Sequence, residues 1–175
     1  GGARADVSGF TPNTWHHICG VEAASDDHRA FLNGDKGTDT TDKNPDAGET
    51  VMIGALEQAS GISTFFAGSI AEAAIWNVAL SDDEVAILAE GYSPLLVRPT
   101  SLVAYWSLIG RMSPEIDIVG GYDMTLNSGD SGPVVSAHPR IIYPSAVQYG
   151  LTVAAAGLSP AVAAYYYRML RTGGC

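Results

Sequence analysis

The densest run of groups able to do chemistry lies between residues 35 and 49. Asp35, Asp39, Asp42, Asp46 and Glu49 crowd one polar stretch whose cations are Lys36 and Lys43. Carboxylates are the hard oxygen donors that calcium selects, so Asp35, Asp39, Asp42 and Asp46 form a candidate calcium site. Their spacing matches no EF-hand loop, and a solvated acidic loop is the competing reading. A second acidic run, Asp82-Asp83-Glu84, follows Ser81. A Ser three residues before a Glu is a capping box, and carboxylates in a first helical turn suit the helix dipole. We read these three acids as a helix start rather than a metal site. His16 and His17 are adjacent in a strand-like run, where packing and hydrogen bonding explain them better than a metal. His28 and His138 stand alone in polar turns. No Cys-x-x-Cys or His/Cys cluster suggests zinc. The spacing of Cys19 and Cys175 supports no disulfide, so a buried free thiol and a terminal one are expected.

Two further runs resemble catalytic segments, and both fall short. Glu115-Ile116-Asp117-Ile118 resembles the E-x-D-x-E strand of retaining β-glucanases. That mechanism sets a nucleophile and an acid/base carboxylate about 5 Å apart on one strand face. Here Val119 and Gly120 follow, so the acid/base is missing, and Gly120-Gly121 suggests a turn. Gly129-Asp130-Ser131-Gly132-Pro133 resembles the run around a serine-protease nucleophile, with His16 or His17 required as base. The same four residue types build any tight turn, and turn chemistry is preferred. No catalytic residue is assigned.

The elements that must position these groups are strands. The chain has 175 residues, a length that suits one domain, or one domain with an appendage. Glycine is abundant, and short Val, Ile, Thr and aromatic runs alternate with turn signals, the pattern of an all-β sandwich or barrel. A formal net charge of −10 and a pI near 4.5 repel a phosphate backbone, which argues against nucleic acid. The chain opens on Gly1 rather than Met, so we expect a processed product or a piece of a longer chain, with no targeting segment to read.

Thr14 to Ala23 alternates as a strand, Ser25-Asp26-Asp27 turns, and His28 to Leu32 returns. Asn33-Gly34 closes that run with a strong hairpin signal. Asp35 to Glu49 reads as a polar loop, Val51 to Gly54 as a short strand, and Glu57 to Ser63 as a loop. Ala71 to Trp76 alternates as a strand. The capped helix follows, with Val85, Leu88 and Ala89 as its apolar stripe and Gly91 as its left-handed stop. Pro94 and Pro99 bracket a linker, and Ile141-Ile142-Tyr143 reads as an edge strand. Leu151 to Tyr167 is uncharged and too weakly apolar for a bilayer span; membrane insertion is disfavoured. Ser159-Pro160 reads as the start of a short helical tail.

The order of several motifs resembles one family. Trp15-His16-His17, Phe31-Leu32-Asn33-Gly34, Ile53-Gly54, Phe66-Ala67-Gly68-Ser69-Ile70 and Trp76-Asn77-Val78-Ala79-Leu80-Ser81 with Glu84 are similar to the laminin G-like, concanavalin A-like domains. The resemblance covers residues 14–91, with departures at Ala71-Glu72 and Val78. It implies a jelly-roll β-sandwich of antiparallel sheets with one short rim helix. The motifs are those of the family's second half. Leu102-Val103-Ala104-Tyr105-Trp106-Ser107-Leu108, Asp117 to Gly121 and Met124-Thr125-Leu126 resemble its opening strands. Residues 1–98 are therefore read as second-half strands plus the helix. Residues 99–145 are read as opening-type strands, of the same sandwich by permutation or completed by a partner, and residues 146–175 as an apolar Tyr-rich tail.

The family's members differ far more in ligand than in fold, so the resemblance carries little chemistry. It implies a non-catalytic recognition module of a secreted or surface protein, binding glycan or protein through its loops. Calcium at the rim is known in such domains. Trp15, Asn33, Asp35, Asp39 and Asp42 are the candidate ligand-binding residues, although Trp15, Trp76 and Trp106 all sit in contexts suited to core packing. A structural part of an assembly, such as a virion decoration, fibre or tail protein bound to other subunits, is the alternative. A β-glucanase-like hydrolase ranks last. The expected setting is extracellular, cell-surface or virion.

Overall fold

The computed structural model describes residues 4–44, 50–58, 61–63, 65–109, 113–125 and 137–144. The chain divides into two compact units: residues 1–71 with 78–91, and residues 72–77 with 92–175.

The first unit is built on a three-stranded antiparallel sheet, β1 (Ile18–Ala24), β2 (Asp27–Leu32) and β3 (Asp35–Asp39), in that order. Asn33 and Gly34 lie at φ 54° and 91°, and Leu32 pairs directly with Asp35. Two consecutive left-handed residues make the type I′ turn whose twist matches a hairpin, as the Asn-Gly pair predicted. The same turn overturns the loop reading of residues 35–39. Their β-propensity is poor, but the turn delivers them into register opposite Leu32, Phe31 and Ala30, and pairing wins over propensity. Gly37 is required in this strand, because a Cβ there would overlap the Asp6 carbonyl.

The next strands also differ from expectation. Val51 to Gly54 forms no strand; the Gly54 carbonyl instead accepts the Phe66 N–H at 2.8 Å. A small hairpin, β4 (Leu56–Gln58) with β5 (Gly61–Ser63), occupies part of the stretch read as a loop.

Helix α1 (Asp82–Ala89) is as its sequence foretold. Ser81 Oγ accepts the Glu84 N–H at 3.3 Å, and Glu84 Oε2 accepts the Ser81 N–H at 2.7 Å. Val85 and Leu88 are buried, and Gly91 follows at φ 89°. Asp82 is no free acid: Arg29 Nη1 donates to it at 3.3 Å, and Lys36 pairs with it as well. Two sheet cations thus hold the negatively charged end of the helix. Val21, Phe31 and Leu32 supply further buried apolar surface.

The second unit centres on β6 (Ala73–Trp76) paired antiparallel with β7 (Leu102–Trp106), in the register Ala73 to Trp106 and Ile75 to Ala104. Leu102, Tyr105 and Ile118 form its core, with Ala74, Trp76 and Leu95 packed on them. The two indoles behave as core aromatics with satisfied N–H groups. Trp76 donates to the Val97 carbonyl at 2.8 Å and Trp106 to the Tyr122 carbonyl at 2.7 Å. Pro94 is buried at the start of a 3-10 turn (Pro94–Leu96) and Val97 is buried behind it, so the stretch read as a linker is partly packed. Ile142 makes one parallel bridge with Tyr92 in place of an edge strand. The tail, Leu126 and the Gly129 to Pro133 run lie outside the described residues. Among the described residues no helix is long and apolar enough to cross a membrane.

Candidate functional site

In the first unit the candidate residues gather around the start of β1 and the β2–β3 turn. Asn33 Oδ1 accepts the His17 backbone N–H at 3.0 Å, which turns its amide nitrogen toward His16 Nδ1 at 2.9 Å. His16 Nε2 lies against Thr11, 3.0 Å from its N–H and 2.9 Å from its carbonyl. The ring of Phe10 packs on His16 at 4.7 Å. Asn33 is therefore committed to shaping the turn. Trp15 is different from the other two indoles: it is 39 % exposed. Phe10, Phe65 and Phe66 of the same unit are exposed too. Phe10 and Thr11 escaped the sequence reading; an aromatic in a Gly-Phe-Thr-Pro turn was the signal.

The acids of the 35–46 stretch do not behave alike. Asp39 accepts the Thr41 N–H at 2.8 Å and the Thr41 hydroxyl at 2.7 Å, and also the Arg4 N–H. These donors favour its charged form and hold its pKa down to about 2. Asp35 and Asp42 are exposed, and Asp46 lies outside the described residues. Among the described residues no group of three or more His, Cys, Asp or Glu side chains is placed to hold a metal ion. His28, expected alone in a turn, is buried in β2. Its Nδ1 meets Glu22, and its Nε2 faces the carbonyls of Ser25 and Thr41, both at 3.0 Å. The Glu22 hydrogen bond raises its pKa. Burial pushes His17 down and the Cys19 thiol up.

Among its described residues the second unit holds two carboxylates with little exposure, Asp117 and Glu72. Asp117, 5 % exposed, accepts four backbone N–H groups: Tyr105 at 2.8 Å, Val119 at 2.9 Å, and Gly120 and Tyr122 at 3.0 Å. A carboxylate has about four lone-pair sites, so this one is saturated. The chain from Glu115 to Met124 closes around it through paired bonds of 2.8 and 2.9 Å between those two residues. Asp117 is a loop organiser. Glu115 accepts the Leu108 N–H at 2.9 Å, and desolvation raises its pKa.

The other carboxylate is Glu72, unremarked among the candidate residues. Its side chain is 10 % exposed and collects the Tyr105 hydroxyl, the Tyr143 hydroxyl at 2.9 Å and His138 Nε2 at 3.1 Å. His138 is therefore not the isolated turn histidine of the sequence reading. Burial, with Glu72 alongside, pushes the Tyr105 phenol far up, so it stays a hydrogen-bond donor.

A family model described as the concanavalin A-like lectin/glucanases superfamily, of laminin G type, matches residues 3–86. The match covers 84 of the 175 residues, just under half of the chain. The resemblance carried by Trp15 to Ser81 holds, and the matched range starts upstream of it. Among the described residues the structure is strand-dominated, with antiparallel sheets and one short α-helix, which is compatible with an all-β jelly-roll sandwich. The concanavalin A-like match ends before residues 101–143. No curated protein and no solved structure matches the chain.

Proposed function

We propose that this concanavalin A-like chain is a non-catalytic recognition module of an extracellular or surface protein. It binds glycan or protein through the loops of its first unit. The observation that carries the reading is Trp15, an indole left 39 % exposed in a unit that also presents Phe10, Phe65 and Phe66. Exposed aromatics, tryptophan above all, are what binding faces use. The hydrolase alternative is disfavoured by Asp117, whose oxygens are spent on backbone N–H groups and would make a poor nucleophile.

Screening the chain against a glycan array and by protein pull-down, in calcium and in chelator, tests the proposal. Binding is expected, and Trp15→Ala should weaken it by more than about 1 kcal/mol, a factor of about five. Calcium dependence would assign Asp35 and Asp42 a ligand role. Absence of any ligand in both media, or unchanged affinity in the Trp15 variant, refutes the assignment.

A further inference from the structure

The second unit carries a device that recognition does not use. His138 presents both ring nitrogens to acceptors: Nδ1 to the Pro139 carbonyl at 2.9 Å, and Nε2 to Glu72 at 3.1 Å and the Ser107 carbonyl at 3.3 Å. A neutral imidazole has one N–H, so only the imidazolium satisfies both sides. Glu72 needs it in turn. A carboxylate buried to this depth is costly without a counter-charge, and the two tyrosine hydroxyls that reach it are neutral. The backbone at Glu72 is a second, independent sign. It lies at φ 58°, left-handed for a non-glycine residue, with its N–H on the Ser107 carbonyl at 3.2 Å. Such a conformation persists where its surroundings over-determine it, and such places are often functional.

We propose that His138 and Glu72 form a protonation-controlled latch that fastens residues 137–144 to the β6–β7 pair. Other attachments of the segment among the described residues include the Ser93 N–H to the Ile142 carbonyl at 2.9 Å, the Tyr92 to Ile142 bridge, and Tyr143 on Glu72. The groups facing the latch are Tyr105 and the Ser107 carbonyl from β7 and its end, Tyr143 from the segment itself, and Ser93, which bonds Tyr105. Glu115 stands one step further off, through the Ser107 hydroxyl at 3.4 Å, and Arg140 is exposed on the segment. Losing the His138 proton removes a fastening and leaves Glu72 uncompensated at once. The Glu72 hydrogen bond raises the pKa of His138. The latch is therefore fully closed below the unfolded-state value and opens as pH rises through the folded one.

The test is hydrogen exchange of the full chain, corrected for intrinsic exchange, from about pH 6 to pH 9, beside an NMR titration of the His138 ring. Protection at Ser93 and at residues 140–143 should fall about tenfold for each pH unit by which the His138 midpoint exceeds the ordinary histidine value. In His138→Gln, which keeps a donor but no charge, protection should be lower and flat with pH. His28 also titrates against Glu22 and is untouched in that variant. A pH response surviving in His138→Gln would place the effect at another titrating group and overturn the latch. So would a His138 midpoint at or below the ordinary value, or constant protection across its titration. The last two outcomes need only the unaltered chain, so they decide the matter even where the variant fails to fold.

Discussion

Replacing Asp117 separates an organising carboxylate from a reacting one. In Asp117→Ala all four backbone N–H groups lose their acceptor. Tyr105 is fully buried, so its N–H is left unsatisfied at a cost of about 1–3 kcal/mol. Val119, Gly120 and Tyr122 are exposed, and water can take over there, leaving about 0.5–1 kcal/mol for each. The sum is about 2.5–6 kcal/mol, a large share of the about 5–15 kcal/mol by which domains are stable. Asp117→Asn is the finer probe. One oxygen serves Tyr105 and Val119, the other Gly120 and Tyr122. An amide can serve only one of these pairs, and keeping Tyr105 confines the loss to the exposed pair, about 2 kcal/mol with the lost charge. Urea unfolding followed by tryptophan fluorescence reads both, since the Trp106 indole bonds the Tyr122 carbonyl of the same loop. Midpoints should fall in the order wild type, Asn, Ala. Two variants within about 0.5 kcal/mol of wild type would refute the reasoning, because surface positions without a structural role behave that way.

Two further outcomes follow from the first unit. Ser81→Ala should cost about 1 kcal/mol in the same urea assay, and Ser81→Asp should retain most of the stability, because it preserves an oxygen for the Glu84 N–H; equal losses in both would discard the capping argument. Asp39, depressed to about 2 by hydrogen bonds from Arg4 and Thr41, contributes stability above the ordinary carboxylate range that is lost as pH falls through the folded value. Acid unfolding of Asp39→Asn should lack that component, and because the site is partly exposed the difference should shrink in high salt. An acid limb identical to wild type would remove Asp39 from the account.

Local chemistry was legible in the sequence, and long-range chemistry was not. The Asn33-Gly34 turn and the Ser81 to Glu84 capping box are contained in a few consecutive residues, so residue type alone specifies them. Residues 35–39 were misread because their pairing is inherited from that turn rather than from their own propensity. Val51 to Gly54 was misread in the opposite sense: strand-like residues whose Gly54 carbonyl turns to Phe66 instead. Glu72 draws on Tyr105 and Tyr143, 33 and 71 residues away, and no spacing rule links them. Its one trace was an acid set among the alanines of an alternating strand. Asp117 left a better one, the Gly120-Gly121 pair that pointed to a turn.

The order in which the two units take up the chain has a consequence for how the molecule can be divided. The polypeptide leaves the first unit at residue 71, gives six residues to the second, returns for residues 78–91, and leaves again. No single cleavage separates the units, and the family boundary at residue 86 is not a boundary of strand pairing. A fragment ended there keeps β6 but discards β7, its partner in register, and so bares the backbone donors and acceptors of Ala73 to Trp76 along an open edge. On the ribosome the same order means that β6 waits for some thirty further residues before it can be paired.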